Sequence, residues 1–164
     1  MTAAGVALLD ALPPDVAERE LLGCCGSPEW ARRMAASRPF RSLERLVDAS
    51  DATWLSLPDS QRLQALDAHP RIGDRAASGR AAEEQAAALA SGDEDARRLS
   101  QANRAYEARF GRIFIVCAAG RTAAEMLAIC RDRLENDPVT ELAVAAEEQR
   151  RITRLRLEKL AAGP

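Results

Sequence analysis

The sequence predicts an all-α fold in a single domain that spans residues 1–164. A chain of 164 residues is the usual size of one domain and long enough to bury a sizeable core. Its hydrophobic content of 47% is too high for a disordered chain. Aromatic residues make up only 4%, and Ala, Leu, Arg and Glu outweigh the β-branched residues, which favours helices over strands. We expect a compact domain of about seven or eight helices and no sheet.

Helix-start and helix-stop residues divide the first part of the chain into four predicted helices. Pro is tolerated in the first turn of a helix, and Ser is a preferred N-cap residue. The residue before a Pro disfavours helical geometry, so the fourth helix must end before Pro70. The predicted helices run from Pro13-Pro14-Asp15 to Gly23–Gly26, from the Ser27 cap to about Ala36, from the Ser42 cap to Trp54 and Leu57, and from Pro58-Asp59-Ser60 to about Ala68.

The rest of the chain begins with a predicted ordered loop over residues 69–80, because it contains Pro, two Gly and no periodicity. A long helix follows, with an apolar stripe ended by Gly111. The run Ile113–Cys117 is too short for a sheet and is predicted to be a buried extended segment. The helices predicted here run from about Arg80 to Ala90, from Asp93 or Glu94 to Phe110 (stripe Leu99, Ala102, Asn103, Tyr106, Phe110), from the Thr122 cap to Glu135, and from Pro138 to Ala162.

Charge and composition exclude several classes of function. The net charge of −2 disfavours a nucleic-acid-binding module, because such binding depends on neutralising phosphates. No apolar run reaches the roughly 18 residues of a membrane span, and the N-terminus lacks the pattern of a secretory signal, so we expect a cytoplasmic protein. Four cysteines without a C-x-x-C pair indicate neither a zinc site nor a redox motif, and Cys117 and Cys130 are predicted to be core residues.

His69 is the first candidate for chemistry because it is the only histidine in the chain. Imidazole is the side chain best suited to acid–base catalysis near neutral pH. The residue lies between a predicted helix end and Pro70, which restricts its backbone. The competing interpretation is a loop histidine that caps the last carbonyls of the preceding helix.

Arg156 and the Glu83-Glu84-Gln85 run are the other candidates. Arg156 lies four residues from both Ile152 and Leu160, so it shares the apolar face of the last helix. A guanidinium there needs a carboxylate, carbonyls or an anionic ligand, unless its head reaches water. Glu84 lies among alanines that would let a ligand approach, although a solvated helix face is also open. One histidine among scattered carboxylates is a poor transition-metal site, and we expect no metal.

At these positions the chain resembles the 2-oxo-4-hydroxy-4-carboxy-5-ureidoimidazoline (OHCU) decarboxylases. Four motifs occur in the same order and with compatible spacing: His69-Pro70-Arg71-Ile72-Gly73-Asp74, Glu84-Gln85, the run from Asn103 through Tyr106 and Phe110-Gly111 to Phe114, and Leu155-Arg156-Leu157. The resemblance implies an all-α enzyme of urate degradation that needs no cofactor and produces (S)-allantoin and CO2. Family members are often dimers, which leaves a homodimer open.

The resemblance also implies site residues. The catalytic His, Glu and Arg of the family match His69, Glu84 and Arg156. Its substrate contacts fall on Pro70, Gln85 and backbone groups of the segment from Phe114 to Val116. One departure is Ala81, which stands where the family often has a Ser, so another group or water must replace that hydroxyl.

Two other function classes remain open. A non-catalytic helical interaction module predicts an exposed apolar patch and no closed pocket around His69. A same-fold enzyme acting on a different ureido or imidazoline acid is suggested only by Ala81. Substrate turnover separates both from the decarboxylase.

Overall fold

The computed structural model describes residues 3–72 and 93–163. These residues form eight α-helices and, within the same two ranges, no strand, which confirms the predicted all-α class. The helices are α1 (Ala3–Ala11), α2 (Pro14–Leu22), α3 (Pro28–Ala36), α4 (Leu43–Ser56), α5 (Asp59–Asp67), α6 (Asp93–Phe110), α7 (Ala123–Leu134) and α8 (Pro138–Ala162). The helix predicted from about Arg80 to Ala90 and most of the 69–80 loop lie outside the described residues.

The chain packs as two compact units. The first comprises Met1–Ala68 together with Gln149–Pro164, and the second comprises His69–Glu148. Helix α8 therefore begins in the second unit and ends in the first. The single domain over residues 1–164 stays a prediction.

The helices of the first unit begin where their capping residues predict. The Ser27 hydroxyl accepts a hydrogen bond from the Trp30 amide at 3.2 Å, and Ser42 accepts one from the Arg45 amide at the same distance. Each bond satisfies an amide that the first turn of a helix leaves without an intrahelical partner. The core of this unit contains the fully buried side chains of Leu21, Trp30, Met34, Leu46, Leu66 and Leu157.

Helix α1 was not predicted from the sequence. Its residues are almost all apolar, so the sequence lacks the alternation of polar and apolar faces that predicts an amphipathic helix. The structure explains Gly5 within it: a Cβ at Gly5 would lie 2.1 Å from the Ala161 carbonyl oxygen, close to the end of α8. The absent side chain allows α1 to approach that backbone.

The second unit has its core between α6 and α7. The predicted stripe of α6 is buried at Leu99, Ala102, Asn103 and Tyr106 and partly buried at Phe110, and it packs against buried residues of α7 that include Met126 and Cys130. Gly111 ends α6 with a φ of +68°, in the left-handed region that favours glycine. Thr122 and Glu125 form a reciprocal capping box at the start of α7.

The run Ile113–Cys117 forms neither helix nor strand and is buried only in its middle, since Ile113 and Cys117 are partly exposed; its extended backbone stays a prediction. Phe114, Ile115 and Val116 are buried and belong to no helix. Helix α8 has the predicted bounds, and Arg156 is turned inward with 8% of its surface exposed. The expected apolar neighbour Leu160 is only half-buried, since the buried face of α8 passes through Leu157 and Ala161 instead. No helix among the described residues combines the length and apolar character that a membrane span requires.

Candidate functional site

His69 is the first residue of the second unit and lies at the end of a helix. Helix α5 ends at Asp67, Ala68 is its C-cap, and His69 follows in a bend before Pro70. His69 and Pro70 are both half-buried. This is the position that the sequence predicts, a histidine between a helix end and a proline.

The two residues after Pro70 are attached to α6. The Arg71 guanidinium donates to Glu107 through Nε–Oε1 at 2.6 Å and Nη2–Oε2 at 2.9 Å. The side-chain Nδ2 of Asn103 donates to the Ile72 carbonyl at 3.2 Å, and the Ile72 side chain belongs to the core of the unit. The hydrogen bonds from Arg71 hold the pKa of Glu107 below its usual range. The start of the His69 loop is therefore fixed by polar and apolar contacts together.

Arg156 lies on α8 in the first unit and is buried, as expected for a functional guanidinium on the apolar face. The positive charge of Arg156 acts on Cys25 of the same unit and lowers the pKa of that thiol. Burial is the stronger effect and raises the pKa of Cys25 to about 11, against further lowering by hydrogen bonds from Ser27 and Thr153. Cys25 is therefore a neutral thiol at physiological pH and a poor nucleophile.

Two charged side chains of the second unit bind the backbone of residues 114–117. Arg133 donates from Nη1 to the Ile115 carbonyl at 2.6 Å, and Glu148 accepts from the Cys117 amide at 2.8 Å. The Arg133 guanidinium also lies over the Phe114 ring, 4.8 Å from its centroid. A segment without strand partners thus obtains a fixed backbone from charged side chains.

The same arginine belongs to a buried polar network. Arg133 pairs with Glu141 at 2.5 Å, with side chains 7% and 0% exposed. The Tyr106 hydroxyl also donates to Glu141, and the Asn136 amide donates to its second oxygen at 2.9 Å. Burial and, after it, the hydrogen bond to Glu141 raise the pKa of Tyr106 to about 12. All the polar atoms of the Glu141 carboxylate are therefore used within the protein.

Sequence reasoning did not identify this network. Ala145 and Gln149 mark the buried face of α8, and a step of four residues toward the N-terminus reaches Glu141. An acidic residue in register with a buried stripe was the available signal. Its partners Arg133 and Tyr106 come from two other helices, and no local sequence pattern predicts these contacts.

The structure describes some of the predicted site residues and not others. Glu84, Gln85 and Ala81 lie outside the described residues, whereas His69, Pro70, Phe114 and Val116 belong to the second unit and Arg156 to the first. The convergence of His69, Glu84 and Arg156 stays a prediction. Among residues 3–72 and 93–163, no three His, Cys, Asp or Glu side chains are grouped to hold a metal ion, and a metal-free reaction likewise stays a prediction.

Comparison with known proteins places the chain in a defined group. The sequence model of the family described as OHCU decarboxylase matches residues 10–158. The chain is 40% identical over 154 residues to the "Uric acid degradation bifunctional protein TTL" of Arabidopsis thaliana, covering 89% of this chain and 48% of that protein. It is 30% identical over 141 residues to the 2-oxo-4-hydroxy-4-carboxy-5-ureidoimidazoline decarboxylase of Amia calva, with 81% and 80% covered. The chain thus spans about half the length of the Arabidopsis relative and most of the Amia relative.

Solved structures agree with this placement. A crystal structure of OHCU decarboxylase in the presence of (S)-allantoin superposes with a TM-score of 0.78 at 37% identity, covering 87% of this chain and 97% of that one. A crystal structure of (S)-allantoin synthase shares the fold, with a TM-score of 0.71 at 23% identity, covering 94% of this chain and 53% of that one.

Proposed function

Because the chain belongs to the OHCU decarboxylase family, a family of carboxy-lyases, we propose that it decarboxylates OHCU to (S)-allantoin and CO2 during urate degradation. The observation that carries this proposal is the family match over residues 10–158. The likeness to a decarboxylase crystallised with (S)-allantoin supports the choice of product.

The chemistry of this substrate needs no separate electron acceptor. Its carboxylate is attached to a carbon next to a C=N bond of the ring. When the C–CO2 bond breaks, its electron pair forms a C=C bond with the neighbouring ring carbon, and the π electrons of the C=N bond move to the nitrogen, as in the decarboxylation of a β-keto acid. A proton must then return to one face of the ring to give a single enantiomer. The protein has to hold the anion, orient the breaking bond and deliver the proton.

We assign three residues to these tasks. Arg156 binds substrate oxygens through two N–H groups and stabilises the developing charge. His69 acts as acid or base toward the substrate hydroxyl or carboxylate. Glu84 either orients His69 or takes part in the return of the proton. The burial of Arg156 and the contacts that hold Arg71 and Ile72, just after His69, are consistent with these roles.

Further substrate contacts are assigned to residues of the same motifs. Pro70 packs against the substrate, and Gln85 pairs with its ureido or ring amide groups. Backbone groups from Phe114 to Val116 bind its polar edge, and the hydrogen bond from Arg133 to Ile115 keeps that backbone in place. At Ala81 water or another group replaces the hydroxyl that the family often supplies.

The test is turnover of freshly generated OHCU, followed by the circular dichroism of (S)-allantoin. We expect His69→Ala, Glu84→Gln and Arg156→Lys each to lower kcat/KM by about 100-fold or more. The matched control is Arg154→Lys, on the same helix but exposed and paired with Glu158 in the next turn, which should keep its activity. Near wild-type rates in His69→Ala and Glu84→Gln would overturn the mechanism.

One observation favours a second candidate function, an enzyme that acts on a different acid. Ala81 lacks the hydroxyl that often stands at this position of the family, so the chain could process a different ureido or imidazoline acid. Absence of turnover with OHCU, together with turnover of such an analogue, would favour it. A cytoplasmic location and a homodimer belong to the same proposal, and light scattering of the purified protein tests the second.

A further inference from the structure

Two side chains on one face of α6 contact consecutive residues of the His69 loop. Asn103 and Glu107 are four residues apart, so they lie one above the other on the helix. Asn103 bonds the Ile72 carbonyl, and Glu107 pairs with Arg71. Both contacts join residues 31 to 36 positions apart in sequence, and all four residues belong to the second unit.

The two contacts differ in burial and complement each other. Asn103 is 5% exposed, and its Oδ1 accepts no hydrogen bond from the described residues, so within them this amide acts through the bond it donates to Ile72. The Arg71–Glu107 pair lies nearer the surface, with side chains 61% and 24% exposed, but two parallel bonds define its geometry. One contact fixes the backbone of the loop, and the other fixes a side chain beside it.

The consequence concerns His69, which precedes Arg71 with only Pro70 between them. The ring of Pro70 fixes its own φ and restricts the backbone of His69. The backbone of His69 is therefore restricted and lies within two or three residues of the contacts to α6. A small displacement of a catalytic group can cost about 100-fold in rate, so contacts of this kind matter for catalysis.

We propose that Asn103 and Glu107 are positioning residues that hold His69 in its productive orientation through Ile72 and Arg71. This inference rests on the proposed function, because the catalytic role of His69 is part of that proposal. A purely structural role would change stability alone, whereas a positioning role changes the mobility of the imidazole and kcat together.

The test uses the full chain and two independent readouts. His69 is the only histidine, so selective ¹³C labelling gives one imidazole signal whose relaxation reports ring mobility without reference to activity. The variants are Glu107→Gln, which keeps the volume of the side chain and removes its charge, and Asn103→Asp, which replaces the donor facing Ile72 by an acceptor. The control is Glu94→Gln, which weakens exposed ion pairs at the other end of α6.

We expect both variants to increase the ring mobility of His69 and to lower kcat about 10- to 100-fold, with KM within about threefold of wild type. The control should match wild type in both readouts. Exchanging the charges, Arg71→Glu with Glu107→Arg, should restore a rigid ring and most of kcat. If Asn103→Asp does not fold, Glu107→Gln and the exchange carry the test.

The outcomes separate the two proposals. Unchanged imidazole relaxation in Glu107→Gln overturns the positioning role, whatever the activity. A mobile ring with unchanged kcat shows that α6 holds His69 but overturns its catalytic role, and with it the proposed mechanism. A loss of kcat without a change in relaxation, or no recovery in the exchanged pair, also counts against positioning.

Discussion

Replacing Glu141 by Gln should destabilise the protein strongly, because Glu141 compensates a buried charge. The substitution conserves volume and removes the carboxylate that pairs with Arg133 at 2.5 Å. Both side chains are almost fully buried, so the guanidinium cannot turn to water without opening the core. It would face an amide in place of a carboxylate, while Tyr106 and Asn136 would lose part of the acceptor they share.

The expected magnitude follows from this burial. Removing one partner of a buried ion pair costs about 3 to 5 kcal/mol, because the other charge stays buried and uncompensated. A native domain has about 5 to 15 kcal/mol of stability, so the variant should lose a large part of it. The matched control is Glu158→Gln, which breaks the exposed pair with Arg154 on the same helix and should cost less than about 0.5 kcal/mol.

The assay is urea denaturation followed by far-ultraviolet circular dichroism, with the free energy of unfolding taken from the midpoint and slope. A loss below about 1 kcal/mol for Glu141→Gln would refute the argument, because the Arg133 charge would then have an adequate alternative partner. The double variant Arg133→Met with Glu141→Leu should recover much of the loss, since it removes both charges and retains apolar volume.

Three further predictions concern single groups. Tyr106, the only tyrosine, should ionise only near pH 12 in the folded protein, as followed by phenolate absorbance at 295 nm. Gly5→Ala should lower stability by about 1 to 3 kcal/mol despite the better helix propensity of Ala, because the new Cβ would meet the Ala161 carbonyl, and the shift of the urea midpoint measures it. The pKa of Glu107 is lowered by Arg71, so the pair stabilises the fold above the unfolded carboxyl pKa, and that contribution is lost as pH falls through the folded pKa. Arg71→Ala should accordingly cost more stability at pH 7 than at pH 3.

Each of these three predictions would be contradicted by a specific result. Phenolate absorbance with a midpoint near pH 10 before unfolding would show that Tyr106 is neither desolvated nor bonded to a carboxylate. An unchanged or raised urea midpoint in Gly5→Ala would mean that α1 can move away from α8 at no cost. An equal effect of Arg71→Ala at both pH values would show that Glu107 does not depend on this guanidinium.

Local chemistry explains how much of the fold could be predicted. Ser27, Ser42 and Thr122 each mark a helix start because the capping bond is made within three residues, and the three helices begin directly after them. Helix α1 was not predicted because its almost uniformly apolar sequence has no polar face, and its contact at Gly5 joins residues far apart in sequence. Helix boundaries set by nearby residues could be predicted, whereas a helix without a polar face could not.

Some features of the candidate site could also be predicted from the sequence, and others could not. The single histidine before Pro70 and the inward position of Arg156 could be predicted, because one depends on neighbouring residues and the other on helical periodicity. The contacts that Asn103 and Glu107 make with Ile72 and Arg71 could not be predicted, because nothing in the α6 sequence indicates which distant residue each side chain binds. Motif resemblance supplied the candidates, and the structure supplied what holds His69 and the Phe114–Val116 segment.

The division of the chain into two units also constrains how it folds during synthesis. The second unit is continuous in sequence, from His69 to Glu148, whereas the first needs both Met1–Ala68 and Gln149–Pro164. Domains generally form in the order in which they leave the ribosome. Here the helices of residues 3–67 emerge first but lack the last half of α8, with its Arg150–Asp51 ion pair and the Ala161 backbone against Gly5, until residues 149–162 have been made. The second unit can therefore complete its contacts first, whereas the helices of the first unit stay partly packed until residues 149–164 have been made.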